Sequence, residues 1–584
     1  MILSSEVASR IFSVIWVISA NLAHHSISGL RILQMSDLHI DTAYSQNGSI
    51  AQRCHAGTVE PVGSTTSVAG VPPTQASARL GPMGDYACDP PYALFRSALR
   101  AILQLEPKPD VIIWTGDSNP HWVDGPNFDY IYPNLRNISQ ELLEAFPNTT
   151  IVPALGNHDT YKPDDYPDFK RNNTYGFYSN YIEQGSWGDF IPSSSRETFK
   201  LCGYYTRPLI VSSLANASLL AIVLNTNIYY YNRLPLDEED PCGQLGWLEN
   251  QLTGLGKEQK VIILGHVPPG FFELDLHHDH PMFSVRNGQN LTRRFQEIVS
   301  RPVLAEKIVA HFFGHTHTDS FRLIFPLAKG AKISDKTSPH GLIFICPSIT
   351  PSLYLDNHSH GVNPSFRFYS YNQSTAVIDN YLHYYLPLDQ VPLSSDVAFT
   401  PWKLAYNAQE AFGTSSLSTD QMFIAYNTMK SYPESDIFRD YVNHNTVLHS
   451  SSANKTCVDQ CHVNMVCTIT NLLAEDLKIC LGMNATKNNK QETSEESTTI
   501  TSESPKTSSD ITIGSKEDHF TGEESNHFLR GILVGFSIIC IIGIAIAGLI
   551  MYRHLRRNRY RSEEFLLTDG VFKCNGYSEI EEWS

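Results

Sequence analysis

The chain is 584 residues long, sets 43 Lys and Arg against 60 Asp and Glu for a formal charge of -17, and is 42% hydrophobic with 11% aromatic residues. That length exceeds one small domain, and that apolar content is enough for a large core. An acidic balance of this size excludes a nucleic-acid scaffold, which needs a basic face.

In chain order, residues 11–20 (IFSVIWVISA) form an apolar run behind Arg10 that is too short to span a bilayer. Small or polar residues follow through Ala23, and 1–23 reads as a signal peptide. From about residue 30 short apolar runs alternate with longer mixed segments. The runs are RILQMS (31–36), DVIIWT (110–115), IVPAL (151–155), LLAIVL (219–224), KVIILG (260–265), IVAHFFG (308–314) and GLIFIC (341–346). Their length and β-branched content predict buried strands. Residues 92–105 (YALFRSALRAILQL) have helical spacing. Together they predict an α/β catalytic domain over 30–395, with sheet cores covered by helices. Residues 396–485 hold amphipathic, Tyr-rich segments and four cysteines, and predict a helical, disulfide-bonded subdomain packed on that domain.

Residues 486–528 are rich in Ser, Thr and Glu and lack the large apolar side chains a core needs, so they predict an extended stalk. Residues 531–551 (GILVGFSIICIIGIAIAGLIM) carry no charge, and as a helix they would reach roughly 31 Å, one hydrocarbon thickness. Arg553, Arg556, Arg557, Arg559 and Arg561 follow at once and predict a cytosolic tail over 552–584. The expectation is a type I single-pass membrane protein with an extracellular, lysosomal or endosomal ectodomain. The tail holds Tyr577-Ser-Glu-Ile580, a tyrosine sorting pattern.

Glycosylation sequons at Asn47, Asn137, Asn148, Asn172, Asn216, Asn290, Asn357, Asn372, Asn454 and Asn484 all lie between leader and span, in agreement with that topology. So do nine of the eleven cysteines, in a compartment where disulfides persist. Cys457, Cys461, Cys467 and Cys480 suggest two local bridges. Cys54 and Cys88 bracket a stretch with little core-forming capacity that a bridge would tie down. Spacing leaves the connectivity open, and the odd count leaves one thiol over, assigned to Cys346 on its apolar run.

The polar residues that carry chemistry follow the apolar runs. Asp37-Leu-His39 follows the first, Gly116-Asp117 the second and Gly156-Asn157-His158-Asp159 the third, while Gly265-His266 and Gly314-His315-Thr-His317 end the fifth and sixth. Ligand sites in open α/β sheets form where the carboxyl ends of strands gather. Two carboxylates, one amide oxygen and four imidazoles make a mixed N/O set without thiolates, which suits zinc, iron or manganese better than calcium. Seven ligands exceed one tetrahedral ion but serve two that share a carboxylate, and such a pair clamps the attacking and leaving oxygens of a phosphoryl displacement. A water on such a pair is deprotonated near neutral pH and serves as the nucleophile.

These motifs, within the longer strings TGDSNPH (115–121), PALGNHDTY (153–161), LNTNIYY (224–230), GHVPPG (265–270) and FFGHTHTD (312–319), resemble the calcineurin-like metallophosphoesterases, and among them the acid sphingomyelinase-like phosphodiesterases. The resemblance runs from about residue 30 to 485. It implies a β-sandwich flanked by helices and two Zn2+ per chain. One ion would be held by Asp37, His39, Asp117 and His317, and the other by Asp117, Asn157, His266 and His315. It further implies that His158 protonates the leaving oxygen and that His121 is a second imidazole near the phosphate. A proton donor is independently required, because an unprotonated alkoxide leaves poorly. Asp159 either orients His158 or caps its own loop. Tyr229 and Tyr230 are candidates for stacking a base or headgroup, with core packing as the alternative.

Two departures narrow the branch. The DLH motif begins about fifteen residues past the leader, which leaves no room for the saposin-type lipid-handling domain of acid sphingomyelinase. A spanning helix also stands where this branch is usually secreted or lipid-anchored, and Cys202 and Cys242 look like an added disulfide. The resemblance therefore implies hydrolysis of nucleotide-type or related phosphoesters. The alternatives are sphingomyelin as substrate, or a non-catalytic surface receptor on the same fold.

Overall fold

The computed structural model describes residues 29–483, apart from 57–79, 122–127, 168–173, 210–218, 232–238, 277–279, 287–288, 328–337, 356–357, 395–399 and 450–456. The leader, stalk, apolar run 531–551 and tail lie outside the described residues, as do the sequons at Asn172, Asn216, Asn357, Asn454 and Asn484. Among the described residues no helix is long and apolar enough to cross a membrane.

Twelve strands form two six-stranded sheets. In chain order they are β1 (Gly29–Met35), β2 (Val111–Trp114), β3 (Thr150–Pro153), β4 (Tyr205–Leu209), β5 (Leu219–Val223), β6 (Lys260–Leu264), β7 (Ile308–Phe313), β8 (Ser320–Ile324), β9 (Gly341–Ile345), β10 (Ser365–Asn372), β11 (Val377–Tyr385) and β12 (Lys403–Asn407). The first sheet runs β12-β11-β10-β1-β2-β3 and the second β8-β9-β7-β6-β5-β4. Within them β1, β2 and β3 pair in parallel, as do β9, β7, β6 and β5, while β10, β11 and β12 of the first sheet and β4 and β8 of the second join antiparallel. All seven apolar runs read from the sequence are strands of these sheets.

The parallel strands are apolar at nearly every position because both of their faces are covered. Val111, Ile112, Ile113 and Trp114 are all buried, as are Val261 to Leu264. Between the sheets Phe312 meets the edge of Tyr369 at 5.1 Å, and Phe344 contacts both Tyr369 and Tyr381. One buried amide ties the layers: Gln34 donates to Phe313 O at 3.2 Å and accepts from the Tyr369 hydroxyl at 2.9 Å. Helix α1 (Tyr92–Leu105) covers an outer face as its spacing predicts, burying Leu94, Phe95, Ala98, Leu99, Ala101 and Ile102.

The C-terminal part opens with β12, a strand of the first sheet, before helices α2 (Ala408–Phe412), α3 (Thr419–Ser431), α4 (Asp436–Asn445), α5 (Gln460–Thr470) and α6 (Ala474–Cys480). Asn407, Ser418 and Ser435 cap three of these helices by accepting a backbone N–H two or three residues on. Disulfides join Cys54 to Cys88, Cys202 to Cys242, Cys457 to Cys461 and Cys467 to Cys480, and Cys346 is a buried free thiol. Among the described sequons, Asn47, Asn137 and Asn148 are exposed. Asn290 and Asn372 are half-buried and use their side-chain oxygens to accept local backbone N–H groups.

Candidate metal centre and catalytic cleft

Parallel strands of both sheets end at one edge, and the polar motifs meet there. The first sheet delivers Asp37 and His39 after β1, Asp117 after β2, and Asn157 and His158 after β3. The second delivers His266 after β6, and His315 and His317 after β7. Asp37, His39, Asp117, His315 and His317 all have positive φ, between 42° and 74°. Side chains rarely adopt this region, and its strain is tolerated where the surroundings hold the residue for function. Glycines let the turns touch: a Cβ on Gly156 would lie 1.9 Å from Asp117 N, and one on Gly314 would lie 1.9 Å from Ser36 Oγ.

Three sets of donor atoms each converge within 4.8 Å: Asp37, His39 and Asp117; His39, His121 and His317; and Asp117, His266 and His315. The hydrogen bonds behind the rings say what these donors face. His39 Nδ1 lies 2.8 Å from Asn119 O, His266 Nδ1 2.7 Å from Thr115 O, and His317 Nδ1 2.6 Å from Ser352 O. A carbonyl only accepts, so each ring keeps its proton on Nδ1 and turns a bare Nε2 lone pair inward. These lone pairs then crowd one another. His39 Nε2 stands 3.2 Å from His317 Nε2, and His266 Nε2 stands 2.9 Å from Asn157 Oδ1. Asp117 Oδ2 is 3.3 Å from His39 Nε2 and 3.2 Å from His266 Nε2, between the two groups. His315 brings Nδ1 to 2.9 Å from Asn157 Oδ1.

Acceptors at such distances repel unless positive charge lies among them. Burial lowers His39 and His266, yet the Asp117 carboxylate outweighs it and pulls both up to about 9, so with no other cation present their Nε2 atoms draw a proton; burial and the neighbouring imidazoles instead hold His315 down to about 3 and His317 well below the ordinary histidine value. Burial lifts the Asp37 carboxyl to about 6, while Asp117 is held well below the usual range, against its burial, by His266 and His39. The donor set therefore fits divalent cations, and Asp117 belongs to two of the converging groups.

Asp159 resolves as a clasp. It accepts from Gly156 N at 2.9 Å, Asp117 N at 3.1 Å and Ser118 N at 2.8 Å, and so locks the β2 and β3 loops together; no hydrogen bond from it to His158 is seen among the described residues. His158 leans edge-on to His39 and His121, and its buried Nδ1 has no hydrogen-bond partner among the described residues. Burial drives its ring well below the ordinary histidine value, with further lowering from His121, His39 and His315. His121 stacks on His39 at 3.8 Å.

These rings open on a cleft of about 360 Å³ whose walls include Asp117, Asn157, His158, His121, His315 and His317. Tyr230, Tyr231, Phe272, Asp164 and Asp275 are among the other residues that line it. Of the two tyrosines singled out in the sequence, Tyr230 reaches the cleft, edge-on to His315 at 4.7 Å. Tyr229 belongs to the core, where it is fully buried and accepts from Gln244. Sequence reasoning missed Tyr231, Phe272, Asp164, Asp275 and Asp89, which sit on loops without a motif. It also missed the carbonyls of Thr115, Asn119 and Ser352, for which a sequence carries no signal.

The calcineurin-like phosphoesterase family profile matches residues 30–319, and that of the acid sphingomyelin phosphodiesterase C-terminal region matches residues 338–487. The chain is 31% identical to human acid sphingomyelinase-like phosphodiesterase 3b over 455 residues, covering 76% of this chain and 89% of that one. It is 30% identical to bovine cyclic GMP-AMP phosphodiesterase SMPDL3A over 75% of this chain and 87% of the relative. It is 29% identical to sphingomyelinase phosphodiesterase C of Dictyostelium discoideum over 76% and 91%.

Proposed function

Because this chain belongs to the acid sphingomyelinase-like phosphodiesterases and is a phosphodiester hydrolase, we propose that it is a dinuclear zinc enzyme acting on nucleotide-type phosphoesters or phosphoanhydrides. The observation that carries this reading is the set of bare Nε2 lone pairs of His39, His266 and His317 facing inward around Asp117. Zinc suits a mixed imidazole and carboxylate set without thiolate. Asp37, His39, Asp117 and His317 would hold one ion, and Asp117, Asn157, His266 and His315 the other. The pair would supply Lewis-acid stabilisation of the phosphoryl oxygens and lower the pKa of the attacking water.

The chain's own groups do the rest. The clasp of Asp159 and the carbonyls behind three imidazoles hold the donors in place before substrate arrives, so little reorganisation is left for the reaction. A phosphodiester anion among the rings favours the imidazolium form of His158. As a water oxygen bonds to phosphorus and the opposite P–O bond breaks, His158 passes its proton to the departing oxygen, giving a phosphomonoester and an alcohol. Tyr230, Tyr231 and Phe272 offer aromatic surface for a base at the cleft wall.

Sphingomyelin is the second reading, favoured by the relative named a sphingomyelinase phosphodiesterase and by the expected membrane anchor. Purified ectodomain assayed on ATP and a cyclic dinucleotide beside micellar sphingomyelin separates the two. The first reading expects turnover of the nucleotides at least tenfold faster, and the reverse order overturns it. Full metal loading with no turnover of any phosphoester would revive the receptor reading. The leader and the 531–551 run support a type I membrane protein with a lumenal or extracellular ectodomain. Recovery of full-length chain in the soluble fraction after carbonate washing would refute that.

A further inference from the structure

Asp89 lies outside both proposed ligand sets and every motif that resembles the family, yet it grips a cleft residue at two points. One carboxylate oxygen accepts the backbone N–H of His121 at 2.7 Å, and the other meets His121 Nδ1 at 2.6 Å. Asp89 is only 5% exposed and is not part of the cleft wall. Its own position is firmly set. It follows Cys88, which is bonded to Cys54, and precedes Pro90-Pro91 at the start of α1. Pro90 O in turn accepts from Asp41 N at 2.8 Å, on the loop that carries Asp37 and His39.

We propose that Asp89 is the positioning residue for His121: it fixes the ring's plane and keeps Nε2 turned to the place of the phosphoryl group. A ring held only by its own torsions would swing about Cα–Cβ and Cβ–Cγ. Two bonds from one rigid carboxylate, one to the main chain and one to the ring, remove that freedom. The stack of His121 on His39, 3.8 Å between centroids and 15° between planes, supports the ring from its face and leaves its edge to the carboxylate. The inference rests on the reading of the cleft as a phosphodiesterase site.

A double-mutant cycle on the metal-loaded protein tests it, with bis(p-nitrophenyl) phosphate as substrate and with Asp89→Asn, His121→Ala and the double variant. Asparagine keeps the shape but places an amide where two acceptor oxygens stood. Asp89→Asn is expected to lower kcat by about 10–100-fold with KM within about twofold, and to leave metal content and Tm as in the wild type. On the His121→Ala background the same change is expected to alter kcat by less than about twofold, because two residues acting as one unit are not additive. An equal loss on both backgrounds, loss of metal in step with rate, or full activity of His121→Ala overturns the inference. Should Asp89→Asn fail to fold, Asp89→Glu, which keeps the charge and misplaces it, is judged by the same cycle. A wild-type enzyme inert on this diester defeats the proposed function itself, whereas an active wild type with additive losses defeats this inference alone.

Discussion

At the scale of single residues, the proposed function assigns metal holding to Asp117 and proton transfer to His158. Both proposed ligand sets include Asp117, so Asp117→Ala should strip both metals and lower kcat/KM by roughly 10³-fold or more. Metal analysis beside kinetics checks it, and one retained ion at normal occupancy counts against sharing. His158→Ala removes no ligand; it should keep both metals while kcat falls by about 10²–10⁴-fold. A third prediction concerns His311, buried in β7 with Nδ1 on Leu342 O and held down to about 4 by burial. Between pH 6.5 and 4 the unfolded chain binds a proton there that the folded chain does not, so stability rises with pH across this window. The stability is fully present above about 6.5 and is lost toward 4, on the order of 3 kcal/mol for this group. Urea midpoints measured across that window should fall with acid in the wild type and less steeply in His311→Gln.

At the scale of elements, the loop carrying His315 and His317 is braced by the C-terminal helices. Asp319 N donates to Asn445 O at 2.8 Å, and Asn445 Nδ2 donates to Asp319 O at 3.0 Å and Glu273 Oε1 at 2.7 Å. Arg322 Nη2 meets the other Glu273 oxygen at 2.6 Å. Asn445→Ala would leave a buried carboxylate and a carbonyl short of donors, at a cost of about 1–3 kcal/mol in chemical denaturation. It should also quicken metal loss to a chelator, since Asp319 is two residues past His317. How far these elements were legible follows from their chemistry. The seven apolar runs declared themselves because both faces of their strands are covered, and α1 because its buried face repeats every three to four residues. Strand β11 mixes buried and half-buried positions and is rich in Tyr, and β12 leaves Lys403 and Leu404 exposed and buries only Tyr406, so no apolar run marks them. The glycines flanking Asp117, Asn157, His266 and His315 advertised the sharp turns. Nothing in the sequence announced that five ligand candidates take left-handed backbone, or that Asp89 reaches His121 across 32 residues.

At the scale of the whole molecule, the cations would act as staples between two sheets. Donors from β1, β2 and β3 face donors from β6 and β7, and without positive charge their lone pairs push the sheet edges apart. Ions present at a hundred times their dissociation constant stabilise the native state by about 2.7 kcal/mol per site. Chelation should then lower Tm by about 5 °C or more in scanning calorimetry, with recovery on returning zinc. An unchanged Tm after complete demetallation would mean that the sheets hold their register unaided.

The 278 residues that separate His39 from His317 also set an order of events during biosynthesis. A growing polypeptide that has delivered β1 to β3 offers only half a cradle, and long-range closure of this kind comes late and slowly. Tight capture of the proposed ions would have to wait until β7 has emerged and docked. Hydrolytic competence would then be a certificate of completed assembly: a misfolded or prematurely ended chain would stay inert instead of cleaving phosphoesters in the compartment where it is made.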